Sequence, residues 1–489
     1  MQKQIKAIEI VDHITIISII GVAACAVGYF LFFQWLAYSS PSQAVPAYDT
    51  IAPGLPLTTQ PVPVVLNFRS FLPALLSVIG FMYAIFRTIP VLEDFWGLQR
   101  TRINTQHPIC VYIAIGMWLV FMNSLMIAFG HQLEFGASFP AILENFFGRY
   151  GNDTEHYIAI AQRWYQNTLD EHRLVIVFFP FYSILIRIMY FVSPTYLFAA
   201  WFISNAFAYA SGVMLYKLAR LITEESEARN VVKFIFIFPS AFFFFVPLTE
   251  SLFLFLSVAV LYYTIKEKYV HVFIFGLMAA LTRSAGLLLI IPVACELIRQ
   301  LIADYRADES HQNFSAFWHT VRFKYPVRLL SLTSFLLGIS IYLFINYAVY
   351  GSATQFMVFQ EENWYQSLYY FWHTITYLFD AAADFRSDWA IGLAIPGVIV
   401  FGLVLGLTAY GAKHIRVSFT LYALAYFIFA FGPTWLMSGP RYAAVLFPIA
   451  FVAAKIAGKK KGYNLVLTIA YLVMFALYFH EFVRDNFVF

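Results

Sequence analysis

Charge is what this chain has least of. Only 12% of its 489 residues are Asp, Glu, Lys or Arg, whereas 61% are hydrophobic and 20% aromatic. An ordinary soluble domain carries about a quarter charged residues, so that class is excluded. The formal net charge of +4 is small, and its Lys and Arg residues sit mostly between apolar runs, which argues for orientation in a membrane rather than nucleic-acid binding. Cysteine is scarce too. Cys25, Cys110 and Cys295 lie inside apolar runs without metal-ligand spacing and read as packing residues. Short alternating segments of the kind a membrane β-barrel needs are absent. No repeat of about 20–50 residues is visible, and the one low-complexity tract is the Phe run at 242–245.

What is present is a succession of apolar runs long enough to cross a bilayer as helices, which takes about 20 residues each. The expected fold class is therefore all-α and polytopic. Lys3 and Lys6 precede an apolar stretch from Ile14 to Leu36. That stretch is too long for the core of a signal peptide and reads as an uncleaved first span. The positive-inside rule puts the N-terminus in the cytoplasm and the Pro-rich 39–70 segment outside. A second span over 71–89 leads to a loop with Arg100 and Arg102, and a third over 109–130 goes out again. Arg299, Arg306, Arg322, Lys324 and Arg328 mark an inside loop; 351–385 has no Lys or Arg and is placed outside. Lys413 and Arg416, then Lys459, Lys460 and Lys461, mark further inside loops, so Arg441 falls near the outer face.

Two segments need a choice. The run 174–192 holds Pro180 and Arg187 near its middle and is read as a juxtamembrane or re-entrant element, with 195–216 as the true span. The run 269–298 has Arg283 and Ser284 at its centre. It is either one long helix with a snorkelling or paired Arg or, as charge parity favours, two short spans meeting at the outer side. The result is about thirteen crossings and an external C-terminus. The organisation expected is 1–108 as two appended helices, 109–457 as the core and 458–489 as a C-terminal helix.

The polar island 148–167 then stands out, because Asp153, Glu155 and His156 fall just outside the membrane. Tyr157, Ile160, Ala161 and Trp164 share a helical face there, consistent with a helix lying flat on the bilayer. Asp153 suits an N-cap as well as a catalytic carboxylate. The same outer surface gathers Arg187, Thr249, Glu250, Arg283 and Arg441. Both Arg283 and Arg441 fit snorkelling or pairing with Glu250. Glu155, His156 and Glu250 lack metal-ligand spacing, so no cofactor is expected and a divalent metal is poorly supported. The external segment with Glu361, Glu362, Trp364, Trp372, Asp380, Asp384 and Arg386 suits either a cap over the site or an interfacial anchor.

Five motifs in order resemble the integral-membrane glycosyltransferases of the GT-C fold, closest to the PIG-V type, the second mannosyltransferase of glycosylphosphatidylinositol assembly, and its prokaryotic relatives. They are Asp153 with His156, Tyr157, Ile160 and Ala161; Phe178, Phe179, Pro180 and Tyr182; Phe238 and Pro239 with Thr249, Glu250 and Ser251; Arg283, Ser284 and Gly286; and Pro440, Arg441, Tyr442, Phe447 and Pro448. Asn152 replaces an aromatic, Leu248 replaces Tyr, and Trp164 stands where Gly is common. The two N-terminal spans have no counterpart in that family. The resemblance implies a GT-C core with juxtamembrane helices in its first external loop. It also implies transfer of a sugar, mannose above all, from a polyprenyl-phosphate donor to a hydroxyl of a lipid or glycan acceptor, outside the cytoplasm and with inversion. Asp153 would be the general base; Arg441 and Arg283 would hold the donor phosphate; and Glu155, His156, Tyr157, Arg187, Thr249 and Glu250 would line the site. Depending on the cell type, the membrane would be the cell membrane or the endoplasmic reticulum. The alternatives are an oligosaccharyltransferase or protein O-mannosyltransferase of the same superfamily, or a lipid or sugar transporter.

Overall fold

The computed structural model describes residues 108–129, 143–144, 146–147, 153–307, 325–365, 371–383, 390–432 and 438–483. All of them belong to one compact unit, Pro108–Gln132 with Gly136–Phe489. The spans expected at 14–36 and 71–89 lie outside the described residues. Every regular element among the described residues is helical. In order they are α1 (Pro108–Phe129), α2 (Asp153–Arg163), α3 (Pro180–Tyr190), α4 (Tyr196–Ile222), α5 (Glu225–Phe236), α6 (Glu250–Ile265), α7 (Tyr269–Thr282) and α8 (Ile290–Ala307). There follow α9 (Pro326–Tyr350), α10 (Gln355–Trp364), α11 (Phe371–Ala382), α12 (Ile395–Gly411), α13 (Val417–Ala430), α14 (Gly439–Ala444), α15 (Pro448–Lys459) and α16 (Lys461–Val483).

Among the described residues, six stretches are long and apolar enough to cross a membrane: Pro108–Met126, Tyr196–Ile222, Ser284–Asp304, Pro326–Tyr350, Ala390–Gly411 and Gly462–Val483. The chain is thus a multi-pass membrane protein. Shorter apolar helices α6, α7 and α13 stand among them. The remaining crossings of the expected thirteen or so would fall on such short helices or outside the described residues.

At the centre lies α6, apolar all round and buried along nearly its whole length, as a helix surrounded by others must be. It packs between α4 and α7, and α7 packs in turn on α9. Close approach of α7 and α9 depends on small residues. A Cβ on Gly338 would come within 2.6 Å of the Ala280 Cβ, and one on Gly276 within 2.6 Å of the Ser334 Oγ.

The run 174–192 is not a straight span. A 3₁₀ turn over Glu171–Val177 meets α3 at 113°, and Pro180 at the first turn of α3 sets the start of the helix. With 11 residues, α3 is about 16 Å long, half a bilayer core. The break expected at Arg283 is also present: this residue is extended, with φ −154° and ψ 149°, between α7 and a 3₁₀ turn over Ser284–Leu289. On α2, Tyr157, Ile160 and Ala161 are buried as their spacing predicts. Trp164 departs from that pattern, leaving the helix in the left-handed region with φ 60°.

Candidate active site

Four charged side chains, from four of the five motifs, converge at one place. Arg441 on α14 directs Nη1 at Asp153 Oδ2 and Nε at Glu250 Oε1, each at 2.6 Å. The same Glu250 oxygen takes Nη1 of Arg283 at 2.5 Å, and that nitrogen also donates to Thr249 Oγ1 at 3.0 Å. The cluster therefore contains two carboxylates and two guanidinium groups. Arg283 lies over the Tyr442 ring at 4.9 Å, and Arg441 is 5.8 Å from the Phe243 ring centroid, contacts that favour a desolvated cation.

Local sequence explains each placement. Asp153 and Glu250 are the first residues of α2 and α6, where the unpaired N–H groups of a helix favour negative charge. Asp153 is thus within the first turn, with its carboxylate on Arg441. Arg283 owes its position to Gly286, whose N–H donates to the Arg283 carbonyl at 2.9 Å. A Cβ at 286 would lie 2.3 Å from the carbonyl oxygen of Ala279, so only glycine fits that turn. Arg441 is held through the backbone on both sides. Ser240 donates to the Pro440 carbonyl, and the Tyr426 hydroxyl donates to the Tyr442 carbonyl at 3.0 Å. The helix that carries Asp153 is tied down as well: Thr154 donates to the Pro247 carbonyl at 3.1 Å and Ser183 to the Tyr157 carbonyl at 2.8 Å.

Exposure is graded through the cluster. Glu250 is sealed at 0%, Arg441 at 5% and Arg283 at 14%, whereas Asp153 keeps 31% of its side chain open. Glu250 Oε2 is buried without a hydrogen-bond partner. Burial works to raise the Asp153 carboxyl, but the adjacent Arg441, by charge and by hydrogen bond, together with His156 and Arg283, holds it below the usual carboxylate value. Burial likewise works to lower the Arg441 guanidinium. Glu250 and Asp153 more than reverse this and keep it charged.

Of the other residues expected to line the site, Thr249 and Tyr157 are buried next to the cluster, and Asp153 adds to burial in pushing the Tyr157 phenol up. His156 stacks on Phe178, with ring centroids 4.6 Å apart, and Trp364 stands edge-on to both at 6.2 Å. The segment expected as cap or anchor thus brings Trp364 beside the motif residues; the Trp372 side chain and 384–389 lie outside the described residues. Glu155 is exposed on α2. Arg187 is not brought to the cluster: it is exposed on α3 and forms no ion pair among the described residues. Among the described residues, no three His, Cys, Asp or Glu side chains are grouped to hold a metal.

The Phe178, Phe179, Pro180 and Tyr182 motif is largely architectural. Phe179 stacks on Tyr342 at 3.9 Å, and Tyr182 donates to the Ala200 carbonyl at 2.9 Å. Ser240 and Tyr426, which fix Arg441, escape sequence reading. The one signal for Ser240 is that it follows the Phe238 and Pro239 pair.

No family model and no curated protein matches the chain. A solved structure that is similar is the crystal structure of the Archaeoglobus fulgidus oligosaccharyltransferase tethered with an acceptor peptide containing the NVT sequon via a disulfide bond. It shares 12% identity at a TM-score of 0.39, over 76% of this chain and 55% of that one. The chain therefore spans about half the length of that enzyme.

Proposed function

We propose that the protein is a GT-C type glycosyltransferase that moves a sugar from a polyprenyl-phosphate donor to an acceptor hydroxyl outside the cytoplasm, with mannose the sugar and a glycolipid the acceptor that the PIG-V-like motifs favour. The observation carrying this reading is the convergence of Asp153, Glu250, Arg283 and Arg441 on one another within hydrogen-bond distance. These motif residues lie far apart along the chain, Glu250 and Arg441 alone by 191 positions, and an apolar scaffold has no packing need for such a group. Buried ion pairs contribute little net stability over apolar packing.

The chemistry follows from the exposure gradient. Asp153, the most open member, meets the acceptor and takes the hydroxyl proton. The oxygen attacks the anomeric carbon from the face opposite the phosphate, and the bond from that carbon to the phosphate oxygen breaks. The electron pair leaves with the lipid phosphate, whose charge falls to Arg441 and Arg283. A single displacement inverts the anomeric centre.

The test is transfer of radiolabelled sugar from a polyprenyl-phosphate donor by purified full-length protein. Asp153→Asn is expected to lower kcat by at least a hundredfold, the low end for a lost general base. Arg441→Lys is expected to raise KM for the donor and lower kcat together, since a point charge cannot replace a planar fork. Wild-type transfer by Asp153→Asn would refute the assignment.

A further inference from the structure

We propose that Asp153 and the donor phosphate occupy the same edge of Arg441 in turn, so that arrival of the donor releases the base. The inference rests on the reading above that the cluster handles a lipid phosphate, and it adds an order of events.

The geometry points that way in three respects. First, the two edges of the Arg441 guanidinium are held by partners of unequal exposure. Its Nε is held at 2.6 Å by Glu250, which is fully sealed and also holds Arg283; its Nη1 faces Asp153, which is 31% open. An anion approaching from outside therefore meets the Asp153 edge first. Second, two carboxylates balance two guanidinium groups, so the resting cluster offers an anion no net positive charge. Binding a phosphate requires one carboxylate to withdraw, and Asp153 is the one with an open route. Third, Glu250 Oε2 lies buried with no hydrogen-bond partner. Burying an acceptor unsatisfied is costly. Here it leaves a vacant acceptor beside the inner edge of Arg441, able to retain the guanidinium when the outer edge changes partner.

The consequence is directional. A carboxylate tied to a guanidinium is a poor base, and the same carboxylate freed from it regains basicity. Glu250 acts as a positioning residue throughout. Donor binding thus precedes activation of the acceptor hydroxyl, and donor and acceptor add in that order.

The experiment measures Kd for a short-chain polyprenyl phosphate on full-length protein in lipid nanodiscs. Asp153→Asn, which removes the internal competitor, is expected to bind at least tenfold more tightly than wild type. Glu171→Gln, which removes an exposed carboxylate in the turn that follows the same helix, is expected to change Kd by less than twofold. Equal or weaker binding by Asp153→Asn overturns the exchange, and so does equal tightening in both variants, which would reflect net charge alone. No binding by any form overturns the donor reading itself and the exchange with it. If Asp153→Asn does not fold, the wild type decides: carbodiimide labelling of Asp153 is expected to rise on adding the polyprenyl phosphate, and an unchanged or lower yield overturns the exchange.

Discussion

Gly286 does more for the site than its lack of a side chain suggests. Because an added Cβ would press at 2.3 Å on the Ala279 carbonyl, the α7 end and the following turn would have to part, and Arg283 would move with them. Gly286→Ala is expected to destabilise the protein by about 1–3 kcal/mol and to raise donor KM. Gly402→Ala on α12, where an added Cβ meets nothing within 4 Å, is expected to leave both unchanged. Thermal unfolding in detergent and donor titration check the pair. At this scale the sequence was most legible where charge interrupts apolar runs: Asp153, Glu250, Arg283 and Arg441 announce themselves because ionisable groups in such surroundings need partners. Arg187 met the same criterion yet is exposed on α3, since a run broken by Pro180 conceals which way its side chains face. Tyr426 gave no signal, and Ser240 only its place after Phe238 and Pro239, because a hydroxyl bonded to a distant carbonyl has neither period nor spacing.

The element that decides the topology is the bent pair 171–190. Its arms meet at 113° and α3 is about 16 Å long, which fits either a broken span or a re-entrant element; the re-entrant reading expected from the sequence makes α4 the next full passage. In a background without Cys25, Cys110 and Cys295, cysteines at Leu169 and Ser226, both exposed, are therefore expected to react with an impermeant maleimide from opposite sides of the membrane. Reaction from the same side would mean that 171–190 crosses. The bend was readable from Pro180 and from the parity of the flanking charges. The end of α2 was not. Trp164 takes a left-handed conformation, with φ 60°, that side chains rarely adopt. Its carbonyl is held by His172 Nε2 at 2.8 Å, a tertiary contact that local propensity does not anticipate.

At the scale of the whole molecule, ion pairs among the described residues stand at both ends of α6. Glu250 opens that helix of 16 residues, and Glu267, just past its end, meets Arg328 at 3.0 Å, about 24 Å away along the axis. Glu296 is paired as well: it is 2% exposed and is reached by Arg299 at 2.8 Å, Arg416 at 3.3 Å and Ser418 at 2.6 Å. These contacts pin α8 to the start of α13 far from the candidate site. Glu296→Gln is expected to cost about 1–3 kcal/mol of stability with no change in donor Kd. A changed Kd would mean that these contacts and the site are coupled.

The spread of the site along the chain also sets a timetable for its birth. Arg283 follows Glu250 by 33 residues, whereas Arg441 follows it by 191. At about 5–20 residues per second of synthesis, Glu250 acquires its first counter-ion within roughly 2–7 s but waits roughly 10–40 s for the second. During that interval Glu250 already has Arg283 to pair with, while Asp153 lacks its Arg441 partner. Asp153 thus gains its Arg441 partner only when the later of the cluster's two arginines is made.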